Sequence, residues 1–183
     1  MHFLSDINVV SQPQPLIYRL ATLSDLPAII LINQQTLPEN YSLSTWNYLL
    51  NFGLIYCAEE PQTQKIVGYC VELPSFFGTD SFSKLPVVVQ NWLGNNSMSL
   101  IYSIAVLPEW SGQKIGSNLL QICLNATQSK VVLLQARKSN ETAQRLYLKY
   151  GFQYLLEYLN YYSLPFGQRE NAYFMYWQNL RMF

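Results

Sequence analysis

Ile104-Ala105-Val106-Leu107-Pro108-Glu109-Trp110-Ser111-Gly112-Gln113-Lys114-Ile115-Gly116-Ser117-Asn118-Leu119-Leu120 starts as an apolar strand and breaks at Pro108. It then passes through a polar, glycine-containing loop and enters an amphipathic helix. A loop feeding a helix N-terminus leaves backbone N–H groups without intrahelical acceptors, with the positive end of the helix dipole behind them. Such a turn suits phosphate. Strand, glycine loop and helix also occur together in α/β proteins that bind nothing there, so the flanking sequence has to decide the reading.

Upstream, Ser11-Gln12-Pro13-Gln14-Pro15 and the absence of periodicity give residues 1–15 the character of a flexible arm, with one domain over 16–183. Leu16–Leu20 alternates as a strand, and Thr22-Leu23-Ser24-Asp25 has the spacing of a capping box. Leu26, Ile29, Ile30, Ile32 and Leu37 form one helical face that stops before Pro38, and Ser44–Asn51 predicts a second helix with Trp46, Leu49 and Leu50 inward. Leu54–Glu59 and Ile66–Leu73 flank a polar turn as a β-hairpin. Residues 74–97 lack a clear pattern and read as an insertion, within which Leu85–Leu93 suits a short helix or a strand.

Downstream, a helix over Gln113–Thr127 leads to a strand at Val131–Ala136 and a helix over Glu141–Tyr150 closed by Gly151. Phe152–Asn160 and Ala172–Trp177 are the last two strands, joined by Tyr161–Arg169. The order β-α-α-β-β-β-α-β-α-β-β predicts a mixed α/β (α+β) domain: one twisted sheet of about seven strands flanked by about four helices.

Composition narrows the function. Hydrophobic residues make up 50% of the 183, enough for one substantial core. Net charge is zero and only 12% of residues are charged, which argues against a nucleic-acid footprint. Cys57, Cys70 and Cys123 sit in apolar runs without metal-ligand spacing and read as buried thiols of a reducing compartment. No apolar run reaches a membrane span and no signal-peptide pattern opens the chain, so a cytoplasmic protein without bound metal is expected.

Ser139-Asn140-Glu141-Thr142-Ala143-Gln144-Arg145-Leu146-Tyr147-Leu148-Lys149-Tyr150-Gly151-Phe152 follows the opening stretch at the distance of one helix and one strand. Together the two stretches resemble the GNAT superfamily of acetyl-CoA-dependent N-acetyltransferases, over about Leu16 to Trp177. Leu37-Pro38-Glu39-Asn40-Tyr41, Arg137-Lys138-Ser139-Asn140 and Asn160-Tyr161-Tyr162 further resemble the protein N-terminal acetyltransferases, including the ribosomal-protein alanine type.

The resemblance implies roles. Ile104, Ala105 and Val106 would offer main-chain bonds to the pantetheine arm and the acetyl carbonyl through a bulge near them, while their side chains fill the core. Gly112, Gln113, Lys114, Ile115, Gly116 and Ser117 would hold the pyrophosphate. Ser111 and Lys114 stand where the family pattern has Gln or Arg and Gly, so Lys114 is either a phosphate partner or a solvated surface residue. Asn140 would bond the cofactor arm or cap its helix. Tyr147 would protonate the departing thiolate, or is an ordinary packed ring.

Gln135 occupies the position of the usual general base and can hold a water but cannot usefully take a proton. A relay to Glu39 or a tyrosine hydroxyl would then serve, because an α-amine with a pKa near 8 is partly neutral at pH 7. Glu39, Tyr41, Tyr161 and Tyr162 would line the acceptor slot, with a solvated carboxylate and ordinary ring packing as the alternatives. The expected activity is acetyl transfer from acetyl-CoA to a primary amine of a peptide or protein N-terminus by direct attack. Acetylation of a small-molecule amine or lysine, and a catalytically impaired CoA-binding or interaction module, are the competing readings.

Overall fold

The near-continuous apolar runs Ile66–Leu73 and Val131–Ala136 suit strands buried on both faces, and both lie in the interior of a seven-stranded sheet. The computed structural model describes residues 15–74, 83, 85–94, 96–164 and 167–182. The arm expected over residues 1–15 lies outside them apart from Pro15, as do 75–82, 84 and 95 of the insertion.

The strands are β1 (Ile17–Leu20), β2 (Leu54–Glu60), β3 (Lys65–Pro74), β4 (Met98–Val106), β5 (Val131–Arg137), β6 (Gln153–Ser163) and β7 (Arg169–Gln178). The helices are α1 (Leu26–Thr36), α2 (Leu43–Phe52), α3 (Val87–Gly94), α4 (Ile115–Ala126) and α5 (Glu141–Lys149). The sheet order is β1-β2-β3-β4-β5-β7-β6, antiparallel except for β4 and β5. That parallel pair requires a crossover, which α4 supplies.

The two faces bury different helices. Ile115, Leu119, Leu120 and Cys123 of α4 pack with Tyr147 of α5 on Val132, Leu134 and Ala136 of β5. Leu26, Ile29, Trp46 and Leu49 of α1 and α2 pack on Ile55, Tyr69 and Val71. Leu93 of α3 joins Met98, Leu100, Leu133 and Phe174, and Tyr102 packs against both of these latter clusters. The three cysteines are buried and free. No helix among the described residues is long and apolar enough to cross a membrane.

Three details extend or adjust the sequence reading. The stretch Leu85–Leu93 forms a helix over Val87–Gly94, which brings the described helices to five, in keeping with the expected count of about four. β6 continues through Tyr161 and Tyr162, which the pattern had assigned to a connector; Asn160 adopts φ 56°, and the register jumps between Tyr158 and Tyr162. A bulge of this kind breaks the two-residue alternation on which strand recognition depends. Gly151 does close α5, at φ 88°, with the Phe152 N–H donating back to the Tyr147 carbonyl at 3.1 Å.

Candidate active site

The β4–β5 ladder runs from Met98–Val131 to Ile101–Leu134 and stops. Beyond it β4 keeps its pairing with β3 as far as Val106, and β5 keeps its pairing with β7 as far as Arg137. Glu72 pairs with Ile101 and Val71 with Ser103, so Tyr102 is an extra residue, and such a bulge bends its strand and increases its twist. The bulge thus lies two residues before the Ile104–Val106 position expected for it. It also resets the alternation, so that Ile104 and Val106 share the face of Ile101 while Ala105 lies on the α1–α2 side.

A cavity of about 640 Å³ fills the gap between the diverging strands. Its walls come from both faces of the sheet. On the α4–α5 side they are Ile104, Val106, Ile115, Leu146 and Tyr147; on the other they are Leu37, Glu39, Tyr102, Arg137 and Tyr162. The cavity therefore passes through the sheet rather than resting on one side of it.

On the first side the loop before α4 is shaped by backbone conformation. Gly112 has φ 78° and Lys114, the N-cap of α4, has φ 61° and ψ 13°. A left-handed lysine costs about 1 kcal/mol relative to glycine. The first intrahelical bond at this end is Asn118 N–H to the Lys114 carbonyl at 2.9 Å, which leaves the N–H groups of Ile115, Gly116 and Ser117 without helical acceptors. A Cβ on Gly116 would meet Val106 at 3.7 Å, an ordinary contact, so the protein's own packing does not demand glycine there. Tyr147 is only 5% exposed, packs on Phe152 with ring centroids 5.8 Å apart, and has no hydrogen bond to a described residue. Burial pushes its phenol well above the ordinary tyrosine range.

On the second side Arg137 joins three elements. Its guanidinium pairs with Glu39 from the α1–α2 loop, donates Nη1–H to Glu170 of β7 at 2.8 Å, and lies 4.2 Å from the ring centre of Tyr162 on β6. Glu170 also accepts the Ser139 N–H at 2.8 Å, and this with Arg137 holds its carboxyl below the usual range against the opposing effect of burial. Burial raises the phenols of Tyr41, Tyr102 and Tyr162. Gln135, also on the cavity wall, leaves its buried Nε2 without a hydrogen-bond partner among the described residues.

A family model for the acetyltransferase (GNAT) domain matches residues 51–154, more than half of the chain. The chain belongs to the GNAT acetyltransferase family. It is an acetyl-CoA-dependent acyltransferase of the N-acetyltransferase kind. Among its relatives is the N-alpha-acetyltransferase of Sulfolobus acidocaldarius, 32% identical over 162 residues, covering 86% of this chain and 89% of that one. The ribosomal-protein-S18-alanine N-acetyltransferase of Escherichia coli superposes with a TM-score of 0.70 at 21% identity, over 89% of this chain and 93% of that one. Arabidopsis thaliana NAA60 in complex with acetyl-CoA superposes with a TM-score of 0.75 at 15% identity, over 89% and 98%. These two likenesses speak for the fold.

Within this GNAT domain most of the expected site residues come together. Ile104, Ala105, Val106, Gly112, Lys114, Ile115, Gly116, Ser117, Asn140, Tyr147, Gln135, Glu39 and Tyr162 all line the cavity. Gln113 does not; it borders a separate recess of about 340 Å³ with Tyr18, Glu60 and Trp110. Tyr41 stands one layer back, its ring 5.1 Å from that of Tyr102. Tyr161 sits 5.4 Å from the ring of Phe174, in the apolar cluster behind Tyr162. Asn140 spends its side-chain oxygen on the Ala143 N–H at 3.0 Å, so it is an N-cap as well as a cavity residue. Sequence reasoning gave Arg137 no role of its own. The available signal was a cation two residues from Gln135 on a strand, where residues at i and i+2 share a face.

Proposed function

We propose that this enzyme acetylates the N-terminal α-amine of a peptide or protein, with acetyl-CoA as donor. The observation that carries the reading is the cavity that traverses the sheet. A helix N-terminus and a buried phenol stand on one side, and an aromatic, carboxylate-bearing mouth on the other. Donor and acceptor can then approach from opposite faces and meet in the β4–β5 gap.

The residues fit a coenzyme A arm. The unpaired edge of β4 at Ile104–Val106 offers main-chain donors and acceptors, and the Ile115, Gly116 and Ser117 N–H groups offer an anion cradle that Gly116 leaves unobstructed. Lys114 adds an ammonium beside that cradle. Bound there, the thioester supplies an electrophilic carbonyl and a sulfur leaving group. Tyr147, kept protonated by burial, gives its phenolic proton to that sulfur. Main-chain N–H groups of β4 stabilise negative charge on the carbonyl oxygen.

On the acceptor side Tyr102 and Tyr162 flank the incoming chain, and Glu39 offers a carboxylate to its amine. Gln135 holds a water through the amide nitrogen that has no partner among the described residues, and this water carries away the amine proton. No strong base is required, because roughly a tenth of an α-amine is neutral at pH 7. The S. acidocaldarius relative, named for an α-amine activity, supports this acceptor class. A thiol-release assay over a peptide library with free and blocked N-termini tests the reading. Release that needs a free α-amine is expected; release with lysine side chains or small amines alone would overturn it.

A further inference from the structure

We propose that Arg137 is the positioning residue of the acceptor slot, holding its two walls together and setting the charge that the incoming chain meets. This rests on the peptide reading above. Arg137 lines the cavity, is 12% exposed at its side chain, and touches the α1–α2 loop, β6 and β7 at once. Through Nη2 it fixes Glu39, through Nη1 it fixes Glu170, and its guanidinium plane supports Tyr162. Glu170 in turn ties the Ser139 N–H at the start of the Asn140 cap. A forked guanidinium suits this task because it serves two carboxylates at fixed angles, which a single ammonium cannot.

The charges decide the second half of the proposal. Glu39 and Glu170 contribute two negative charges and Arg137 one positive, leaving the mouth at one net negative charge. Of the neighbouring cations, Lys138 pairs with Glu157 at 2.8 Å, and Arg169 is exposed, so solvent and salt screen its charge. One net negative charge attracts an ammonium while leaving an acidic side chain beside it tolerable. Without Arg137 the same mouth carries two, and an acidic side chain next to the amine is repelled.

The test uses the full chain, acetyl-CoA and two synthetic peptides that begin Ser-Ala and Ser-Asp and are otherwise identical. Arg137→Gln is expected to raise KM for the Ser-Ala peptide about tenfold with kcat within threefold, and to raise KM for the Ser-Asp peptide by several-fold more. Arg137→Lys, which keeps the charge and loses the fork, should raise both KM values while leaving their ratio as in the unaltered enzyme. Acetyl-CoA affinity, measured by calorimetry, should stay within twofold in both variants. A fall in kcat with unchanged KM, or an Asp-to-Ala ratio that ignores the charge at 137, would overturn the proposal and leave the peptide reading standing. If the unaltered enzyme neither turns over nor binds any free-amine peptide, the peptide reading falls and this inference falls with it. If Arg137→Gln does not fold, the Arg137→Lys comparison and a Glu39→Gln variant, expected to lower the Asp-to-Ala KM ratio, decide the matter.

Discussion

Replacing Tyr147 by Phe removes one oxygen from the cavity wall and nothing else that the fold uses. The hydroxyl has no hydrogen bond to a described residue, and the ring keeps its contact with Phe152. Stability should therefore hold or rise slightly, since a buried hydroxyl without a partner carries only a desolvation cost. Turnover should not be spared. A positioned general acid contributes roughly a hundred- to ten-thousandfold. The departing group here is a thiolate, whose conjugate acid has a pKa near 8.5, so it leaves tolerably without full protonation. That places the loss at the low end, about a hundredfold in kcat, or about 2.7 kcal/mol of transition-state stabilisation. Steady-state kinetics with a peptide acceptor, paired with calorimetric titration of acetyl-CoA, separates the effects. A kcat within threefold of the unaltered enzyme would remove Tyr147 from acid catalysis. A loss of acetyl-CoA affinity as large as the loss of kcat would make it a packing residue.

Other outcomes follow from the same geometry. Gly116→Ala fits the protein's own contacts and favours the helix, so melting temperature should hold or rise, while the added methyl group at the cradle should weaken CoA at least tenfold in calorimetry; unchanged affinity would place the pyrophosphate elsewhere. With Gln135 in the base position, kcat/KM should rise about tenfold per pH unit and level near pH 8, following the acceptor amine, and the falling limb expected of Tyr147 should stay above pH 10 because burial raises that phenol; a plateau already reached at pH 6.5 would reveal an unrecognised base. Asp25 accepts two bonds from Arg19, at 2.7 and 2.9 Å, which holds its carboxyl well below the usual range. A depressed folded-state pKa contributes stability above the unfolded value near 3.9 and loses it as pH falls further. Arg19→Gln should therefore lower the urea midpoint at neutral pH, and the deficit should shrink below pH 4; a deficit independent of pH would exclude this origin.

Much of the fold can be read from the chain because its local signals agree. The apolar run Ile66–Leu73 after its polar turn, the helical face from Leu26, and Gly151 after α5 each point to the element that forms. The signals fail where backbone geometry departs from period. Asn160 at φ 56° hides the end of β6, and Leu85–Leu93 carries apolar residues at both spacings. The side proposed for the cofactor is legible because consecutive residues build it: a strand edge, a loop and a helix start. Lys114 shows why glycine is usual at its position, since the backbone there is left-handed.

The acceptor side was harder to read because it is assembled from distant segments. Glu39, Arg137, Tyr162 and Glu170 are brought together only when β6 and β7 pair beside β5. A single motif gives no hint that Glu39 faces a cation rather than solvent. Gln113, by contrast, follows its sequence neighbours into the loop, yet the turn aims it at the outer recess.

The central claim is that acetyl passes to an α-amine in the gap between β4 and β5. Incubation with acetyl-CoA and a peptide library, followed by fragmentation mass spectrometry, tests it most directly. The account predicts one acetyl group on the first residue of free-amine peptides, lost when Tyr147 is replaced by Phe. Acetylation confined to lysine side chains, or binding of acetyl-CoA with no acetylated peptide, would contradict it.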